Sequence, residues 1–209
     1  MPASSSLLPL PAQAHHRFLA LLPEGAHLLE AGCGSGEDLH YFRDQGYVVT
    51  AFDASLTQAK AASRRCGQPV RVCRFEQMHN VLPFDGIWAS ASLPCLTEAE
   101  LAPVLAHLAS LLRPKGPLYC SFPHPDGGLP REDAAAPLDY PLRTALDEAA
   151  LAALIAPLPF ALQQCWQSDD ERQGRWLHAL LIREANPATI NQYRGRRSRQ
   201  GARRDVASR

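Results

Sequence analysis

Short apolar runs alternate along the chain with segments whose apolar positions return every three or four residues. The run at 27–32 reads as a buried strand, and 35–46 as a short helix closed by Gly46 at its C-terminal end. Residues 47–53, rich in β-branched and aromatic side chains, predict a second strand. Ser55 stands as the cap of a helix reaching about Cys66, with Gly67 as its stop. Third and fourth strands are expected at 69–75 and 84–92. Thr97 and Glu100 have capping-box spacing for a helix reaching Leu112, in which Pro103 predicts a kink or a later start. A fifth strand follows in 114–122, a long Pro/Gly loop in 123–141, and a helix in 147–158. Segments 160–169 and 175–184 flank a polar turn and read as a closing antiparallel hairpin. Before all of these, residues 1–12 read as an unstructured lead-in, and AQAHHRFLALLP as a short helix. The alternation of strand and helix through the fifth strand predicts an α/β fold, doubly wound around a parallel sheet.

Composition changes this picture at one end only. The 209 residues suit one domain with a real core, and 46% hydrophobic with 20% charged residues is ordinary for a globule. Formal charge is zero, yet seven of the 21 basic residues and one of the 21 acidic ones fall within 186–209. The body is therefore mildly acidic and the tail basic. The six cysteines are scattered with no CxxC, which argues against a zinc site and against a disulfide framework. The N-terminus lacks a basic region, and its apolar run is broken by Pro9 and Pro11, so no signal peptide is expected. No stretch has the length of a membrane span, and a reducing cytoplasm is the expected location.

Candidate chemistry lies between the first strand and the helix after it. Gly32, Gly34 and Gly36 occupy every second position, Glu30 precedes them, and Asp53 ends the second strand. An acid there can accept hydrogen bonds from the two hydroxyls of a ribose, which points to an adenosine-containing ligand. A dinucleotide fingerprint needs a small residue at the third step of G-x-G-x-x-G/A, where this chain has Glu37 or Leu39, depending on the starting glycine. Charge agrees with spacing. Glu30, Glu37 and Asp38 would repel a pyrophosphate, whereas S-adenosyl-L-methionine carries a sulfonium and an ammonium. Glu37 and Asp38 read as complementing the helix dipole, and Glu30, at the end of a buried strand, as part of the site.

On these residues the chain resembles the class I S-adenosylmethionine-dependent methyltransferases from about His15 to Glu184. LLEAGCGSG resembles their first motif, Asp53 their ribose acid, FDGIWASASL their fourth-strand motif, and LLRPKGPLYCSF the following turn and strand. Within that superfamily RFEQM, DGIWASASL and RWLHALLIR look most like the small tellurite-resistance-type enzymes. The resemblance implies a methyltransferase domain over 15–185 between a disordered lead-in (1–14) and a disordered basic tail (186–209). It implies seven strands in the order 3-2-1-4-5-7-6 with strand 7 antiparallel. Implied cofactor contacts are Glu30, Gly32, Cys33, Gly34 and Gly36, then Asp53 and Ala54, Phe75 and Glu76 beside the adenine, and Ala89 with Ser90 through their backbone. Core packing for Phe75 and solvation for Glu76 are the competing readings.

The chain departs from the family pattern at two loops. Ser92-Leu93-Pro94-Cys95 stands where relatives often have a His, and Pro123-His124-Pro125 where they often carry a cation. Cys95 and His124 are the candidates to assist methyl transfer, with a buried inert thiol and a solvated loop imidazole as the alternatives. The expected acceptor is a small molecule, bound between 88–96 and 123–141. A nucleic-acid or protein methyltransferase anchored by the basic tail is the second reading, and a non-catalytic cofactor-binding protein the third. No metal, and no membrane partner, is expected.

Overall fold

The apolar run after Ala26 becomes β1 (His27–Ala31) in the computed structural model, which describes residues 10–127, 141–170 and 174–185. The lead-in before Leu10, most of the 123–141 loop and the basic tail 186–209 lie outside the described residues. Next along the chain come α2 (Glu37–Asp44), β2 (Val48–Asp53), α3 (Leu56–Cys66), β3 (Arg71–Val72) and β4 (Gly86–Ala89). Then follow α4 (Glu98–Leu111), β5 (Pro117–Pro123), α5 (Glu148–Ile155), β6 (Phe160–Asp170) and β7 (Gly174–Arg183). The first helix, α1 (Leu10–Leu19), starts inside the segment expected as lead-in. Pro11 falls in its first turn, where a missing N–H costs the helix nothing.

The seven strands form one sheet in the order β3-β2-β1-β4-β5-β7-β6. β1 pairs in parallel with β2 and with β4, β2 with β3, and β4 with β5. β7 runs antiparallel to β5 and to β6, and the register slips between Leu162 and Gln164. The doubly wound sheet and its order are thus as expected. Each inner strand sends alternate side chains to opposite faces. Leu28, Trp88, Tyr119 and Leu180 pack with α1, α2 and α3. Leu29, Ile87, Leu118 and Leu181 pack with α4 and α5 on the other face.

Local signals explain most boundaries. The Ser55 side chain accepts from Gln58 N–H, and Gly67 ends α3 in the left-handed region. Glu100 accepts from both the N–H and the hydroxyl of Thr97, so α4 starts there despite Pro103, and the later start does not occur. The third strand is shorter than expected. Arg71 and Val72 lie exposed at the sheet edge, and the chain turns at Phe75–Gln77 into a single turn of 3-10 helix. A short edge strand offers little backbone to a stray partner. Among the described residues no disulfide joins any of the six cysteines.

Gly36 shows how tightly the glycine turn is seated. It has φ +85, and a Cβ on it would lie 2.8 Å from Ala62 Cβ and 2.9 Å from Ala62 Cα in α3. Gly36→Ala is therefore expected to destabilise the fold by about 2–5 kcal/mol, from left-handed backbone cost and overpacking together. A thermal melt should show this as a lowered midpoint, and a change within error would contradict the packing described.

Candidate functional site

A cavity of about 850 Å³ opens at the carboxyl ends of the strands, near the upper end of the range for small-molecule sites. Its floor is the turn 32–35, against which Ser92 packs closely. Ser92 Oγ donates to Ala31 O at 2.6 Å, and a Cβ on Gly32 (φ +78) would sit 2.5 Å from Ser92 Cβ. Gly32 therefore lets the loops after β1 and β4 close on each other. Gly34 has open space where its side chain would be, so a ligand can approach its backbone.

Asp53 ends β2 with its carboxylate fixed. Oδ2 accepts from Gly34 N–H at 2.9 Å and Oδ1 from Ser55 N–H at 2.8 Å. Each oxygen keeps a lone pair for a further donor. Glu30 is 3% exposed, and its Oε2 has no hydrogen-bond partner among the described residues. Burial holds its carboxyl well above the usual range, helped by the nearby charges of Asp38 and Asp53. An orphaned buried carboxyl facing a cavity fits a ligand that brings positive charge.

The cavity collects most of the residues singled out from sequence. Glu30, Gly32, Cys33 and Gly34 line it, as do Asp53, Ala54, Phe75, Glu76 and Cys95. Phe75 meets Phe52 edge to face at 5.4 Å and is half-buried, so it packs on the core while also lining the cavity. Three expected residues lie elsewhere. Gly36 is occupied by α3, and Ala89 is buried in the core on the α4 face, leaving its neighbours Trp88 and Ser90 on the cavity wall. His124 is buried outside the cavity lining, with its Nδ1 accepting from Asp126 N–H at 3.2 Å. Leu129, Pro130, Arg131, Leu138 and Tyr140 of the expected acceptor wall are outside the described residues.

Burial pushes the Cys95 thiol up, Asp53 adds to this, and Arg143 opposes it. A thiol so placed stays protonated, which suits a wall better than a nucleophile. Burial also raises Cys33, with Glu30 and Asp53 reinforcing it. His178 lies in β7. It joins Tyr119 Oη at 2.8 Å to Ser168 Oγ at 2.7 Å, and burial with Arg17 nearby brings it down to about 4. It is neutral at physiological pH and ties β5, β6 and β7 together.

Sequence reasoning missed a contact of Asp38. Its Oδ1 meets His15 Nε2 at 2.8 Å, and its Oδ2 accepts from Trp88 Nε1–H at 2.7 Å. Arg143 and the α4 residues Ala99, Pro103 and Val104 also line the cavity without a local motif to announce them. The backbone of Arg143 and Thr144 donates to Pro94 O, which draws this distant segment over the pocket. Among the described residues there is no group of metal-ligating side chains, and no helix is long and apolar enough to cross a membrane.

Sheet order, the glycine turn and its two acids together define a class I methyltransferase architecture. The family model described as a methyltransferase domain matches residues 7–197, and the chain belongs to that family. Malonyl-acyl-carrier protein O-methyltransferase of Salmonella typhimurium strain LT2 is 31% identical over 93 residues, covering 44% of this chain and 36% of that protein. The matched part thus spans about a third of the curated relative's length. Among solved structures, 1,6-didemethyltoxoflavin-N1-methyltransferase of Burkholderia thailandensis, with bound 1,6-didemethyltoxoflavin and S-adenosylhomocysteine, matches with TM-score 0.68. Identity to it is 25%, over 82% of this chain and 77% of that one. A methyltransferase from Methanosarcina mazei matches with TM-score 0.70 at 15% identity, over 86% and 99% of the two chains, a likeness of fold.

Glu30 generates a prediction about pH. A carboxyl whose folded pKa lies above its ordinary 4.5 binds more protons folded than unfolded between those values. Its favourable contribution is complete below 4.5 and is lost as pH rises through the folded value. The ligand-free Glu30→Gln protein should therefore melt higher than wild type at pH 8, with the gap closing toward pH 4.5. Thermal melts across that range check it, and a gap that widens on acidification would show the sign to be wrong.

Proposed function

We propose that the chain transfers a methyl group from S-adenosyl-L-methionine to a small-molecule acceptor. The observation that carries this reading is the buried Glu30 carboxyl, whose Oε2 has no partner among the described residues, beside a glycine floor flanked also by Glu37 and Asp38, acids that would repel a pyrophosphate. Glu30 and Asp38 would face the positive amino-acid part of the cofactor, Asp53 the ribose, and Phe75 with Glu76 the adenine. When bound, the cofactor supplies an activated methyl on a positively charged sulfur. The chain's own part is to hold the partners in line and keep water away, which suffices where the acceptor is already nucleophilic.

The acceptor end supports a small molecule. Trp88, Leu96, Val104, Pro103 and Pro141 give an apolar wall, with Ser90, Ser92 and Arg143 as polar points. The Burkholderia structure has 1,6-didemethyltoxoflavin bound together with S-adenosylhomocysteine, which supports an acceptor that is a small molecule. The finer kinship to tellurite-resistance-type enzymes rests on RFEQM, DGIWASASL and RWLHALLIR. With Cys95 protonated and His124 outside the cavity lining, the site favours acceptors that need no deprotonation, such as thiolates, reduced chalcogen oxyanions or aromatic nitrogens.

Calorimetry should show binding of S-adenosylmethionine or its demethylated product and none of NAD. Asp53→Ala should weaken that binding by about 1.5–3 kcal/mol through loss of charge-assisted hydrogen bonds. Tighter binding to NAD would falsify the cofactor assignment.

Cys95→Ala should keep most of the methyl-transfer rate on an acceptor that needs no deprotonation, because the thiol it removes is held protonated. Loss of turnover with intact cofactor binding would instead make Cys95 a participant.

A further inference from the structure

We infer that Arg143 holds a carboxylate of the methyl acceptor, so that the substrate is a small carboxylic acid whose carboxylate is an anchor and not the methylated group. This rests on the methyltransferase reading above. Arg143 lines the cavity from its exposed mouth, on a strap of chain pinned to two loops. Its N–H donates to Pro94 O at 2.7 Å, and that of Thr144 to the same oxygen at 3.1 Å. Thr144 Oγ1 donates to Leu96 O at 2.7 Å, and Leu146 N–H to Pro123 O at 3.0 Å. Thr144 and Leu146 are buried, so the strap joins the loop after β4 to the end of β5. The backbone that carries Arg143 is fixed, while its guanidinium has no ion-pair partner among the described residues.

Cofactor binding leaves this cation without a task. Leu146, three residues past Arg143, packs in the cluster of α4 and α5. Asp38 belongs to α2 and bonds Trp88 in the cluster of the opposite sheet face. The strap and the acids that would meet the cofactor's amino-acid part therefore lie toward different faces of the sheet. The cofactor's own carboxylate, bonded to the same carbon as its ammonium, goes with those acids. Arg74 is the other arginine in the lining, and it adjoins Phe75 and Glu76 on the side read as the adenine's.

Charge and shape select the anion. Glu30, Glu37, Asp38, Asp53, Glu76 and Glu100 line the same cavity, so an anionic acceptor is repelled everywhere except at a cation. One guanidinium thus fixes where the acceptor's charge can sit. Its planar fork offers two parallel N–H donors, the match for a carboxylate. A phosphate dianion would keep one charge unmatched among those acids. Next to Arg143 the wall is apolar: Leu96, whose carbonyl holds Thr144, and Pro141, two residues before it. A ring or short chain packed there, with its carboxylate at Arg143, enters the cavity in a single direction.

The test uses methyl-labelled S-adenosylmethionine and a deproteinised small-molecule extract of cells that express the protein. Converting carboxyls of the extract to methylamides beforehand should abolish labelling by the wild-type protein, and phosphatase treatment should not. With untreated extract, Arg143→Gln should raise the amount needed for half-maximal rate about 5- to 30-fold, a loss discounted for the exposed position. Its maximal rate and its affinity for S-adenosylhomocysteine in calorimetry should stay within about 2-fold of wild type, and Arg143→Lys should fall between. The strap's bonds come from backbone and Thr144, so the Gln variant keeps them and should melt like wild type. Labelling that survives carboxyl blocking would overturn the proposal, as would an Arg143→Gln protein with an unchanged half-maximal point. Equal weakening of S-adenosylhomocysteine would give Arg143 to the cofactor and overturn it too. Wild-type protein that binds no S-adenosylhomocysteine and labels nothing would sink the methyltransferase reading itself, and the proposal with it, before any variant is compared.

Discussion

The reversal of strand order at β1 governs the rest of the molecule. From β1 the chain winds outward through β2 to β3 and then crosses back to lay β4 on the other side of β1. Loops leaving β1 and β4 therefore diverge, and a crevice opens at the carboxyl ends of the strands. The base of that crevice must still be closed, or the core would be wet. Ser92 closes it by reaching the carbonyl of Ala31, and the approach is possible only because residue 32 has no side chain. The glycine turn is thus a packing solution first and a ligand floor second.

Into this crevice the chain places acids that a stability argument would avoid. Glu30 gains no hydrogen bond for its buried Oε2 among the described residues, and the charges of two other carboxyls act on it. Burial and the charges of Asp38 and Asp53 push its carboxyl up, toward the neutral form. A positively charged ligand removes the conflict by making ionised carboxyls favourable, so the binding energy is largest where the free protein is least comfortable. Asp53 differs. Its two backbone N–H partners satisfy it in the ligand-free chain, which makes it a preformed acceptor.

The strands, the hairpin and the glycine turn were legible because each follows from local rules (period, caps and turn residues), whereas the sheet order came from the family resemblance alone. Thr97 with Glu100 announced α4 from four residues. What failed to show in sequence depends on distance. The third strand loses most of its expected length because β2 pairs only with Arg71 and Val72 before the chain turns away. Ala89 and Gly36 sit inside the right motifs, yet alternation sends Ala89 to the α4 face and α3 covers Gly36. His124 follows β5, and its imidazole is drawn into the turn at Asp126 rather than toward the cavity. The segment around Arg143 has no motif and reaches the site through two backbone bonds to Pro94.

Asp38 shows most clearly why a motif cannot give the whole site. In sequence it is one of two acids in a first helical turn, and nothing distinguishes it from Glu37. In the fold, Glu37 faces Arg65 at the surface, whereas Asp38 turns to α1 and β4. The difference comes from a run of rings that begins at Tyr41 and passes through His15, Trp88 and Tyr119 to Trp166, where Arg17 caps the end. Trp88 and Tyr119 stack with centroids 3.8 Å apart, so the indole that donates to Asp38 is fixed from both sides. The apolar packing of α1 onto the sheet and the orientation of a cavity carboxylate are therefore one structure. A substitution that loosens either must be felt in the other, which is why this part of the site lies in the contacts between helix and sheet.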